Sequence, residues 1–131
     1  MESISSGKKQ KAIALLIQIQ NAISDLKECN KSIESKEDYF TSPEGMKQLL
    51  ASCILMDAIG DGFKRINMLT HSSLLSERDD ISWKDVVGVR DYIAHDEAID
   101  GAIVFHAVKK DLNNLADATE YFLKRLAESK K

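Results

Sequence analysis

The apolar positions of this chain recur at helical spacing almost from end to end. Between about Lys8 and Ser35, Ala12, Leu16, Ile19, Ile23, Leu26 and Ile33 step by three, four or seven residues. At about 100° per residue this gathers them on one face of a long amphipathic helix, which Ile13 and Leu15 widen early and Asn30 interrupts. Such a stripe is core, and in a helix this long it can also serve a dimer. After Tyr39 and Phe40, Ser42 can cap and Pro43 suits the first helical position, where its missing N–H costs nothing. The second helix then runs through Met46, Leu49, Leu50, Cys53, Ile54, Ile59, Phe63 and Ile66 to about Leu69. Gly60 and Gly62 each cost it about 1 kcal/mol relative to alanine, which predicts that another helix approaches closely there.

Thr70 to Asp80 reads as a connector, with Leu74 and Leu75 packing down. Ser82 and Asp85 resemble a capping box, so a third helix is predicted from about Trp83 to His95. Val86, Val89 and Ile93 form its inward stripe, Trp83 anchors its end, and Gly88 allows close packing. Asp96 to Gly101 turns the chain. The last helix, about Ala102 to Ala127, carries Phe105, Val108, Leu112, Leu115, Thr119, Phe122 and Leu126 in three-four alternation. No strand-length alternation, internal repeat or low-complexity segment is visible. The prediction is an all-α, up-and-down four-helix bundle with a short third helix, one domain over residues 1–131 with an ordered core of about 8–128.

Composition supports a folded chain. Apolar residues make up 44% and charged residues 30% of 131 residues, enough to bury a core without staples. A single proline and six glycines leave few helix breakers. Cys29 and Cys53 lie in apolar helical patterns with no CxxC or Cys/His pairing, and are read as buried thiols of a reducing compartment in preference to a disulfide. No apolar run approaches ~20 residues, and the opening MESISSGKKQ lacks an export signal's apolar stretch, so the expectation is no membrane and a cytoplasmic protein. The net charge of −3 argues against bulk electrostatic capture of nucleic acid. Residues 81–100 are the most acidic part, with Lys84 and Arg90 against Asp85, Asp91, Asp96, Glu97 and Asp100.

That acidic segment nevertheless holds the one tight grouping of arginine, carboxylate and histidine, in WKDVVGVRDYIAHDEAID. On a helix, Asp91 and His95 share a face, where a carboxylate can fix an imidazole's tautomer and orientation. Arg90 lies about 140° round the same helix from His95. The two meet on one small ligand only if the helix ends near His95 or a second subunit supplies one of them. Other polar positions read as scaffold. Asp57 and Asp61 lack a His or Glu at ligand spacing, and His71 is a loop surface residue. His106, beside the last stripe, is read as partly buried and satisfied. SSGKK at Ser5 to Lys9 is too short to cradle phosphates, so no cofactor or metal is expected.

The segment ISWKDVVGVRDYIAHDEAID resembles the motif region of the HEPN superfamily, in its HepT-like toxin branch, where a Trp precedes a short helix bearing R-x4-H. AIGDGFKRI (Ala58 to Ile66) is similar to that branch's second-helix segment, and Asp100 and VKKDLNNL (Val108 to Leu115) also look like it. The likeness spans roughly residues 10 to 125. It implies a metal-independent endoribonuclease of a toxin–antitoxin pair, acting as a homodimer whose motif helices face each other, with RNA as substrate and a small nucleotidyltransferase as antitoxin. It also implies roles: Arg90 on the phosphate and the transition-state charge, His95 as acid/base, Asp91 as the polar neighbour that orients them.

One position departs from the branch. Where R-x4-H is commonly followed by x-Tyr, the residue the antitoxin adenylylates, this chain has Glu97, so that modification has no acceptor in its familiar place. Tyr92 is the nearby phenol, at a helical position equally suited to packing. Two other readings stand beside the nuclease: a non-catalytic HEPN subunit that binds and assists a nucleotidyltransferase, and a helical dimerisation domain in which Arg90, Asp91 and His95 form a structural polar cluster.

Overall fold

The start of the second long helix shows how closely local chemistry sets the architecture. Ser42 accepts a hydrogen bond from the Gly45 N–H at 2.9 Å, Pro43 takes the first helical position, and helix α2 runs Pro43–Leu69. The structure, a computed structural model, describes residues 4–89, 91, 94, 95 and 98–128, with the description at 94, 95 and 98 being of the backbone. Helix α1 is Ser6–Cys29 and packs along α2. A one-turn 3-10 segment, Lys36–Tyr39, joins the two, and another, Leu75–Glu77, follows α2. Then come α3 (Trp83–Val87), a two-residue antiparallel ladder of β1 (Ala94–His95) with β2 (Ala98–Ile99), and α4 (Gly101–His106). A π-helical turn, Ala107–Asp111, continues α4 into α5 (Leu112–Glu128). The architecture is the all-α four-helix bundle that the apolar periodicity predicts, α4 to α5 forming its last long helix.

The core is the predicted stripes meeting. Leu16, Ile19, Ile23 and Leu26 of α1 pack with Leu49, Ile59, Phe63 and Ile66 of α2 and with Leu112, Phe122 and Leu126 of α5, all buried. Gly60 and Gly62 allow the close approaches expected of them. A Cβ on Gly60 would sit 2.7 Å from the Val86 carbonyl oxygen of α3, and one on Gly62 would sit 2.9 Å from Ile19 of α1. Leu74 and Leu75 are buried beneath the connector as predicted. Two successive left-handed residues, His71 (φ 52°) and Ser72 (φ 67°), end α2, so the exposed His71 serves the turn through its backbone.

α1 stops at Asn30, short of the predicted Ser35, because Asn30 takes the cap and its side chain turns inward. The Asn30 amide donates to the Leu26 carbonyl at 3.0 Å and to Ser52 Oγ at 2.7 Å, while Tyr39 donates to Asn30 Oδ1 at 2.6 Å. Ser52 in turn donates to the Gln48 carbonyl at 2.7 Å, and Lys109 donates to the Asn30 carbonyl at 3.2 Å. The buried polar groups of α1, α2 and the 3-10 turn are thus satisfied at one point, which the exposed Lys109 of the π turn also reaches. Burial, with the nearby Cys29 and Cys53 thiols, pushes the Tyr39 hydroxyl up to about 12. Both thiols are free, and both are half-buried where full burial was expected. Burial, then Asp57, raises Cys53.

Candidate active site

Trp83 fixes the start of the motif region. Its indole N–H donates to the Arg78 carbonyl at 3.0 Å, and its ring lies 4.8 Å from that of Phe63 and 5.8 Å from that of Phe122, tying α3 to both α2 and α5. The connector ahead of it is pinned to the last helix by charge. Arg78 grips both oxygens of Asp80 at 3.0 Å and reaches Asp117 at 3.1 Å, and Glu77 accepts from Tyr121 at 3.0 Å and from Arg125 at 3.1 Å. The paired guanidinium holds the Asp80 carboxyl down at about 2.

The third helix departs from its predicted length. Ser82 stands at the N-cap, but its side chain makes no capping bond; its carbonyl receives the Asp85 and Val86 N–H groups at 3.1 Å. The helix ends at Val87 with Gly88 as C-cap, so Gly88 terminates it, and among the described residues only the Lys84 carbonyl of the same helix comes near a Cβ built there. The Asp91 N–H then bonds the Gly88 carbonyl at 3.0 Å in a further turn. By Ala94 and His95 the backbone is extended and paired with Ile99 and Ala98. Asp91 and His95 are therefore not stacked on one continuous helix, which corrects the predicted i, i+4 geometry. Of the predicted site residues, Asp91 is helical and exposed, His95 lies in β1, and Arg90 lies outside the described residues, as do Tyr92, Ile93, Asp96 and Glu97. The chain has thus left helical geometry by Ala94 and His95.

Beside this region, α2, α3 and the last helix enclose a groove of about 570 Å³ with an apolar floor that includes Met56, Ile59, Val86, Val89 and Leu112. Asp80, Asp85 and Asp111 stand among its lining residues, as does His106. His106 is exposed, not partly buried as its place beside the stripe predicts, because the groove opens at α4 where a packed neighbour was expected. A shallower recess of about 420 Å³ lies between the first 3-10 turn and the start of α4 and includes Lys36, Phe40 and Ile99. Sequence reasoning passed over both hollows, which depend on how elements far apart in the chain meet. A Phe directly before the Thr41-Ser42-Pro43 helix start is the sequence feature nearest the second, and only the fold shows that it is exposed.

Asp100 is the cap of α4, accepting from the Ala102 and Ile103 N–H groups at 3.0 and 3.3 Å. Asp61 pairs with Arg65 at 3.0 Å on the exposed side of α2. Among the described residues no group of three or more His, Cys, Asp or Glu side chains is arranged to hold a metal ion, and no helix is long and apolar enough to cross a membrane.

Comparison with curated proteins and with solved structures yields no match. The family model described as "Ribonuclease HepT-like" matches residues 19–122, from the middle of α1 to Phe122 of α5, and so takes in the connector, α3, the hairpin and the π turn together. The chain belongs to the HepT-like ribonuclease family.

Proposed function

We propose that this protein is the toxin of a toxin–antitoxin pair, a metal-independent endoribonuclease that acts as a homodimer, with a small nucleotidyltransferase as its antitoxin. The observation that carries the reading is the family match over residues 19–122, within which R-x4-H falls where the chain passes from helix into the hairpin. In this reading the imidazole of His95 takes the proton from a ribose 2′-OH as that oxygen attacks the adjacent phosphorus, or returns a proton to the departing 5′-oxygen. Arg90 holds the phosphate and offsets the charge that develops on it, and Asp91 is a positioning residue for the pair.

An unpartnered apolar stripe supports the homodimer. Met46, Leu50 and Ile54 follow one another at four-residue intervals on α2 and are 37%, 47% and 70% exposed. The test is cleavage of single-stranded RNA in EDTA by the purified protein and by Arg90→Ala and His95→Ala. Loss of cleavage in both variants is expected, and unchanged cleavage in both ends the reading. Sedimentation of the native chain should give a dimer, and Leu50→Arg with Ile54→Arg should shift it toward monomer.

A second reading has a specific feature in its favour. Glu97 replaces the tyrosine that accepts adenylate and adds to the acidity of residues 81–100, which suits a silent HEPN subunit that assists a nucleotidyltransferase. A stable complex with such a protein, together with no RNA cleavage by the pure chain, would select it.

A further inference from the structure

Phe40 is 54% exposed although it sits at a junction of three elements. It follows the first 3-10 turn, its ring meets the ring of Tyr39 edge-on at 6.5 Å, and its edge rests on Gly101 at the start of α4. The fit to Gly101 is close: a Cβ there would lie 2.7 Å from the Phe40 ring. Its flank is thereby held while much of the ring stays open to solvent. Around it, Lys36, Glu37, Ile99, Asp100 and Gly101 form the shallow recess of about 420 Å³.

The recess abuts the motif hairpin. Ile99, on its wall, pairs with Ala94, and the neighbouring Ala98 pairs with His95. The aromatic platform is thus joined to the His95 backbone through the ladder. Ile99 of the recess wall is one ladder pairing, about 5 Å of strand spacing, from the strand that holds His95.

We propose that this recess is a nucleobase subsite of the nuclease, in which a base flanking the cleaved bond stacks on Phe40 and Lys36 contacts a neighbouring phosphate. Single-stranded RNA is recognised in this way, by unstacked bases on aromatic faces beside a cationic side chain. The larger groove is the poorer host for such a strand, because its floor is apolar, Asp85 and Asp111 stand in its lining, and no Lys or Arg is among its described lining residues. In the recess the Asp100 carboxylate is engaged with the N–H groups of α4. Glu37 offers acceptor oxygens to the N–H groups on a base edge. The assignment rests on the ribonuclease reading above.

The experiment compares kcat/KM on a mapped single-stranded RNA with the same RNA carrying an abasic nucleotide at each position next to the cleaved bond. Native protein should lose about 10- to 100-fold at one of those positions. Phe40→Ala should lose a similar factor on intact RNA and be indifferent to that abasic nucleotide, while Phe40→Trp should retain both rate and sensitivity. A flat abasic scan, or Phe40→Ala as sensitive as the native chain, overturns the subsite and leaves the nuclease standing. If the native protein cleaves no RNA, its binding of an uncleavable 2′-O-methyl oligonucleotide decides. Binding weakened by Phe40→Ala retains the base site without the nuclease, and absence of binding overturns both. Circular dichroism of each variant identifies any loss that comes from unfolding, in which case Phe40→Trp against native protein on the abasic scan carries the test.

Discussion

Tyr39 donates its hydroxyl to the side-chain oxygen of Asn30 at 2.6 Å, and through that one bond the turn before α2 is fastened to the end of α1. Both side chains are buried, at 0% and 1% exposure. Tyr39→Phe leaves the Asn30 oxygen in the interior without its donor, which costs about 1–3 kcal/mol. Urea denaturation should show that loss in the midpoint with an unchanged slope. A variant as stable as the native chain would show that the bond carries no net stability.

The same hydroxyl sets an alkaline limit. Its folded pKa of about 12 lies above the ordinary 10 because burial, and then the neighbouring thiols, disfavour the phenolate. A group raised on folding gives its full stabilisation below its unfolded pKa and loses it as pH climbs toward the folded one. The melting temperature should therefore fall between about pH 10 and pH 12, with tyrosinate absorbance from Tyr39 appearing only as the chain unfolds. In Tyr39→Phe that part of the decline should vanish. An equal decline in the two proteins would place the alkaline sensitivity elsewhere.

Gly60 and Gly62 lie two residues apart on α2 and should respond differently to alanine. At Gly60 the new methyl meets the backbone of α3 at the Val86 carbonyl, so α3 itself must move. Overpacking costs about 1–3 kcal/mol against a helix-propensity gain of about 1 kcal/mol. At Gly62 it meets the side chain of Ile19, which can shift, and the net change should stay within about 1 kcal/mol. Because α3 leads into the motif, Gly60→Ala should also lower RNA cleavage more than Gly62→Ala. Equal melting temperatures and equal rates in the two variants would contradict this.

For the proposed chemistry, His95→Ala should lower the rate of RNA cleavage by about 10²–10⁴-fold, the usual contribution of a positioned acid or base. Arg90→Lys should not restore the native rate, since an ammonium lacks the planar fork that grips a phosphate through two N–H groups. Asp91→Asn, acting through its neighbours, should cost less than either and shift the pH–rate profile. Excess EDTA should leave native cleavage unchanged; abolition by EDTA that is restored by a divalent cation would reject the metal-independent mechanism.

Much of the scaffold was legible because it follows from local rules. Ser42 and Pro43 start α2 where capping chemistry says they should, and the apolar steps from Phe105 to Leu126 mark the last helix. The third helix was harder. Val86, Val89 and Ile93 give only two turns of periodicity, a pattern that a shorter helix followed by a hairpin also satisfies, and Gly88 reads equally as a contact or as a stop. Asn30 looked like an interruption because its partners, Tyr39 and Ser52, lie nine and twenty-two residues away. The candidate site was legible as the triplet Arg90, Asp91 and His95, while the exposure of His106 and Phe40 depended on hollows formed between distant elements.

The π turn at Ala107–Asp111 has a bearing on how the last helix ages under mutation. Such a turn is one surplus residue wound into an otherwise regular coil, and each residue rotates the coil by about 100°. Val104 on one side and Leu112 on the other are both buried, so the wide turn absorbs the surplus without turning either half away from the core. Deleting a single residue there would remove the surplus and leave a regular coil with both halves still in phase, so this short stretch should tolerate the loss of one residue better than a regular turn of α2 would.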